Sequence, residues 1–265
     1  MKLLKKAIIG SALALAFSAA QASPITVGGV TWDPDYLDSG DKDFIAEFKF
    51  TQWFGIASEA VGVAPNFSDA VEIGTVFTSL DGSTAASGYY LKGAGELDRV
   101  NGGFMPDFCT GCELTYTFGG IGLNENQTFN ISNAWARMYV NDLTPNYSTP
   151  AGSQAEINDA NSGLLWLDLK FNYLGFDSGD VQNGQVSAIL EVVGGAAAPH
   201  FLPNTLSYTA DAFFPIGPQN PLGAKYSSGG NGAMIGNTIP EPGSLALLGL
   251  GLLGASVMRR RNNKA

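Results

Sequence analysis

The sequence predicts an all-β protein, an antiparallel two-sheet sandwich of jelly-roll type, flanked by an apolar helix at each terminus. Three observations carry that expectation. Apolar residues recur with period two through most of the chain, which describes strands with one buried and one wet face. Glycine supplies 34 of 265 residues, nearly twice the usual share of about 7%, as a turn-rich β protein requires. Between the two ends, no segment keeps a helical 3.6-residue pattern for three turns, and clusters of Gly, Asn, Asp or Pro separate the alternating runs.

The chain opens with Lys2, Lys5 and Lys6, followed by an apolar run from Ala7 to Ala20. Ala20-Gln21-Ala22 then fits a small-x-small cleavage site, so residues 1–22 read as a secretory signal peptide and the mature chain starts at Ser23. Next comes "WDPDYLDSGDKDF", which holds Asp33, Asp35, Asp38, Asp41 and Asp43. Carboxylates in a loop are what calcium needs, although Leu37 and Phe44 stand where an EF-hand requires ligands. An acidic, solvated loop between two strands is the plainer reading.

In "FIAEFKF", Phe44, Ala46, Phe48 and Phe50 share one face. "PDFCTGCELTYTF" then carries the two cysteines, Cys109 and Cys112, and admits four readings. Zinc would need further ligands, and the remaining imidazole is His200 alone. Covalent haem would need His where Glu113 stands. A redox CxxC belongs at the start of a helix, whereas a strand pattern follows here. The expectation is a local disulfide formed in an oxidising compartment.

"LLWLDLKFNY" sets Leu165, Leu167, Leu169, Phe171 and Tyr173 against Trp166, Asp168, Lys170 and Asn172. "TFNISNAWARMYV" and "QVSAILEVV" add two more strands, and Asp177 and Asp180 offer a weaker acidic loop. Trp53, Trp135 and Trp166 are core residues or, less simply, platforms for sugar rings. Neither a GxSxG elbow nor a distinguished pair of carboxylates marks a catalytic centre, so the domain reads as non-enzymatic. The stretch 225–239, rich in Gly, Ser and Asn, reads as a flexible linker that leaves residues 23–224 as the β domain.

The net charge is −10 over the whole chain. Of its 14 Lys and Arg, three lie in the signal peptide and four in the last seven residues, while Glu241 is the one acid outside the central region. The exported domain is therefore more acidic than the whole, which argues against nucleic acid as a partner.

The chain ends in "IPEPGSLALLGLGLLGASVMRRRNNKA". As a helix, Leu245–Met258 would cover roughly 21 Å of a hydrocarbon core of about 30 Å, a poor permanent anchor. Arg259, Arg260 and Arg261 would stay cytoplasmic, leaving everything before them outside. Pro240-Glu241-Pro242, an apolar helix and a terminal arginine cluster together resemble the PEP-CTERM sorting signal of Gram-negative bacteria. The resemblance implies that residues 240–265 are a sorting helix recognised by exosortase, a membrane protease-transferase that removes it after transit through the general secretion machinery. The inner membrane would hold the chain only transiently, and its destination would be the cell surface or extracellular matrix. "YLKGAGELDRVNGGFMPDFCTGCELTYTFGG" is also similar to a body found in several PEP-CTERM proteins, which imports no activity.

The resulting expectation is a surface or matrix protein linked to exopolysaccharide, biofilm or floc formation. A calcium- or glycan-binding module is the first alternative and a secreted polysaccharide hydrolase the second.

Overall fold

The computed structural model describes residues 23–36, 42–141, 153–179, 184–203, 206–211, 214–215 and 225–239. The two terminal helices expected from the sequence lie outside these residues. The described strands are β1 (Ile25–Val27), β2 (Val30–Trp32), β3 (Phe44–Gly55), β4 (Ala86–Val100), β5 (Gly103–Phe104), β6 (Glu113–Asn124), β7 (Phe129–Asn130), β8 (Trp135–Asn141), β9 (Leu164–Gly179), β10 (Gly184–Gly194), β11 (Leu206–Asp211), β12 (Phe214–Pro215) and β13 (Ser227–Gly236). Three short helices accompany them: α1 (Ile73–Ser79), α2 (Met105–Phe108) and α3 (Gln154–Ala160).

The all-β class holds, but the two-sheet sandwich does not describe this architecture. Strands follow one another around a single sheet in the order β4-β3-β13-β11-β10-β9-β8-β6, and β6 pairs back onto β4. Every pairing is antiparallel, so eight strands close into a barrel. Alternation alone could not separate the two architectures, because sandwich and barrel strands both carry one apolar face. Closure depends on glycine. Gly93 and Gly95 of β4 lie opposite Phe118 and Tyr116 of β6. A Cβ at Gly93 would sit 2.6 Å from the Phe118 ring, and one at Gly95 2.5 Å from the Tyr116 ring. The two rings, 6.4 Å apart and stacked, therefore lie flat against the barrel wall.

Residues expected as a linker are part of that wall. Ser227–Gly236 is strand β13, which pairs with β3 from Ser227↔Trp53 to Gly236↔Phe44 and with β11 on its other side. Its glycines make room for neighbouring side chains: a Cβ at Gly230 would stand 2.5 Å from the Phe50 ring.

Phe48, Leu91, Tyr116, Met138, Leu169 and Leu190 point into the barrel. Glu47, Lys49, Asp168 and Lys170, of opposite parity, face outward, as do the exposed ion pairs Lys49–Asp98 and Glu47–Arg99. That is the reverse of an outer-membrane barrel, whose outer belt is apolar. Among the described residues no helix is long and apolar enough to cross a membrane.

The alternation in β9 departs from the expected faces at two irregularities. Near Met138/Tyr139 the register shifts, and Trp166, expected on the wet face, is fully buried. A second shift near Ile189/Leu190 turns Tyr173 outward, to 47% exposure, and brings Leu174 and Phe176 to the cavity. One extra residue in a strand exchanges its faces.

A belt formed by residues 56–72 and α3 covers part of the outer wall. Beneath it Trp53, Ala94, Ile157 and Ala160 form a second small core. Lys92, wholly buried, holds the belt: its Nζ donates to Glu59 at 2.7 Å, to Asp69 at 2.9 Å and to the Ala57 carbonyl at 3.2 Å. Trp53 and Trp135 add indole hydrogen bonds to the carbonyls of Asn66 and Glu59.

Three substitutions test these constraints by chemical denaturation. Gly95→Val should cost about 1–3 kcal/mol through overpacking, whereas Gly74→Ala, with nothing within 4 Å of its Cβ, should be neutral or stabilise by up to about 1 kcal/mol. Lys92→Met strands two partly buried carboxylates beside each other and should cost about 3–5 kcal/mol.

Candidate functional site

The two ends of the barrel differ. One is plugged by the β1–β2 hairpin, where Trp32 stacks on Phe201 at 5.6 Å and meets the edges of Phe44 and Trp166 at 6.1 and 5.5 Å. Trp166 Nε1 donates to the Val27 carbonyl at 3.1 Å, which ties the hairpin to β9. His200 packs its ring 6.0 Å from Trp32. The end of the described chain is fastened here too: Thr238 bridges Phe201, and Ile239 N–H donates to the His200 carbonyl at 2.7 Å. Ser23 leads into β1, so the mature start expected from the sequence and the approach to Pro240 lie at the same end.

The acidic stretch also sits at this end. Asn101, in a left-handed backbone conformation at φ 47° and followed by Gly102 at φ 77°, forms the tight turn between β4 and β5. Its Nδ2 donates to the carbonyls of Asp33 (2.9 Å) and Asp43 (3.1 Å), and its Oδ1 accepts from Ile45 N–H. The two ends of the acidic stretch are therefore drawn together by one side chain. Asn-Gly is a turn signal by itself, but nothing local to it shows what the Asn101 side chain clamps.

Asp33 Oδ1 accepts from Asp35 N–H at 2.9 Å, a local turn bond. Asp43 Oδ1 accepts from Thr238 N–H at 2.6 Å, and burial raises the Asp43 carboxyl above the usual carboxylate range despite that bond. Asp38, Asp41 and Asp180 lie outside the described residues. Among the described residues no group of three or more His, Cys, Asp or Glu is placed to hold a metal ion.

Cys109 and Cys112 are joined as a disulfide with their Cα atoms 5.2 Å apart. Cys109 caps α2 by donating its N–H to the Met105 carbonyl, and it bridges Val30 of the plug. The bond therefore joins the turn before β6 to the hairpin that closes the barrel. Tryptophan offers no sugar platform: Trp32, Trp53, Trp135 and Trp166 are all at most 2% exposed.

The interior is not filled. A cavity of about 840 Å³, counted with its open mouth, lies among Phe48, Leu91, Met138, Phe171 and Leu190. It reaches the end of the barrel opposite the plug, where Phe129, Phe176 and Val186 are half-buried. The rings of Phe129 and Phe176 stand 5.1 Å apart at that mouth. Sequence periodicity marked Phe48 and Phe171 as one face of a strand and carried no signal that the core is hollow.

Residues 238–261 match the PEP-CTERM protein-sorting motif. No curated protein and no solved structure matches the chain. The motif marks an exported protein addressed to exosortase, with the cell surface or extracellular space as its destination. Pro240, Glu241, Pro242, Arg259, Arg260 and Arg261 fall inside the match but outside the described residues, as do Ala20 and Ala22.

In protein recovered from outside the cytoplasm, Cys109 and Cys112 should resist alkylation until reduced, as mass spectrometry would show. A pair fully alkylated without reductant would point instead to a redox or metal role.

Proposed function

We propose that this chain is a non-enzymatic surface or matrix protein of a Gram-negative bacterium, cut at Pro240-Glu241-Pro242 by exosortase and delivered into exopolysaccharide-rich material outside the cell. One observation carries the reading: the sorting motif begins at Thr238, two residues after the last barrel strand. Removal of the tail at Pro240–Pro242 leaves every strand of the barrel in the product. Prolines on both sides of Glu241 withhold two backbone donors and keep that segment out of helix, so the enzyme meets it extended.

The matrix setting rests on the sorting resemblance, since exosortase systems commonly accompany exopolysaccharide production, biofilm and flocs. In favour of a non-enzymatic body, the described residues lining the cavity are apolar side chains, the Tyr116 phenol and the Gln52 amide, with no Asp, Glu, His or Lys among them.

Intact-mass measurement of protein from the cell exterior should show a start near Ser23 and no residues beyond Pro240–Pro242. Replacing Pro240, Glu241 and Pro242 with alanine should leave a precursor in the inner membrane. An exterior protein that retains Leu245–Ala265 would overturn the reading and make the tail a short anchor.

A further inference from the structure

We propose that the barrel interior binds one alkyl or acyl chain bearing a single uncharged hydrogen-bonding group, with the chain in the cavity and its polar group on the Gln52 amide. This goes beyond export and processing and does not depend on them.

The lining sets the class of ligand. Gln52 is the one amide among otherwise aliphatic, thioether and aromatic residues, and among the described residues no Lys, Arg, Asp, Glu or His lines the cavity. A charged group taken into such a space would lose its hydration with no counter-charge in return. A saturated chain loses nothing there and gains by leaving water. The geometry agrees, because a closed eight-stranded barrel has an interior just wide enough to be filled by side chains or to hold one small ligand. Here it is left open, with the mostly apolar lining typical of small-molecule sites.

The second observation is independent of shape. Gln52 is 6% exposed and lines the cavity, yet among the described residues its amide has no hydrogen-bond partner. Ser228 is wholly buried, and its Oγ likewise has no partner among them. The β3–β13 register places Ser228 directly opposite Gln52, so the two side chains leave the wall on the same face, with Cβ atoms about 5 Å apart. Buried polar groups are almost always paired, because an unpaired one loses its hydration with no bond in return. Of the two, Gln52 lines the cavity, and its amide offers a donor and an acceptor suited to a carbonyl, an amide or a hydroxyl.

The direction of entry follows from the two ends. Ile239 leaves the barrel at the plug, whereas Phe129, Phe176 and Val186 frame the mouth at the other end. The ligand enters at that mouth, opposite the plug.

The test uses the exported protein as recovered from cells, with N-phenyl-1-naphthylamine as a fluorescent probe of the cavity and 1-octanol, octane and phosphatidylethanolamine vesicles as competitors. Probe and octanol should compete for one site, and octanol should be displaced in turn by octane only weakly. Vesicles should compete no better than their trace of free lipid allows. Gln52→Leu should weaken octanol about ten-fold, the worth of one neutral hydrogen bond, and leave octane unchanged. Ala136→Phe, which fills the cavity, should abolish binding of both at an unchanged melting temperature. Wild-type protein that binds neither probe nor octanol overturns the proposal. If Gln52→Leu binds octanol as tightly as wild type, the polar pairing is overturned and Gln52 is satisfied by water. Neither of those readings requires the Ala136 variant to fold.

Discussion

Pairing of β4 with β6 is the constraint on which this structure depends. Each of the other long strands has neighbours that an open sheet would also supply, but this one pairing turns the sheet into a barrel. It forms where β4 offers Gly93 and Gly95 beneath the rings of Phe118 and Tyr116. A side chain at either glycine would meet both a ring and the backbone of β3, at Thr51 or Lys49. Closure removes the free sheet edges that an open β protein must protect from pairing with other chains.

A barrel has two ends and an inside, and the chain treats each differently. One end is sealed by the Trp32 hairpin, braced by the Cys109–Cys112 disulfide, and receives the segment leading to the sorting motif. The other end remains partly open onto an apolar interior. On the outer wall, Lys92 draws Glu59 and Asp69 inward, so that a belt of chain covers Trp53 where a bare strand would expose it. A buried cation with two acidic partners is weak evidence for net stability. What it does here is fix the path of residues 56–72.

The acidic stretch near the mature start belongs to the same scaffold. Asn101 clamps its two ends, and Asp43 accepts from Thr238 N–H, 195 positions along the chain. These carboxylates and carbonyls thus join the start of the domain to the first residue of the sorting motif. That connection explains why the processed segment emerges from a fixed place on the barrel and not from a loose tether.

Address and element type could be read from the chain alone. The sorting motif is contiguous and needs no partner, and alternation is a property of each strand alone, so both were legible, as was the pairing of two cysteines three residues apart. The remaining features depend on contacts between distant residues. Glycines at 227–236 read as slack because a sequence does not show the Phe50 ring that occupies the space they leave. Bulges in β9 exchanged the faces of Trp166 and Tyr173, since one unpaired residue is invisible to a count of apolar positions. Barrel and sandwich carry the same local pattern, and the choice between them was made by where β6 pairs. The hollow interior followed from that closure, because a cavity is the difference between the space a wall encloses and the volume of its side chains, and no single strand contains that difference.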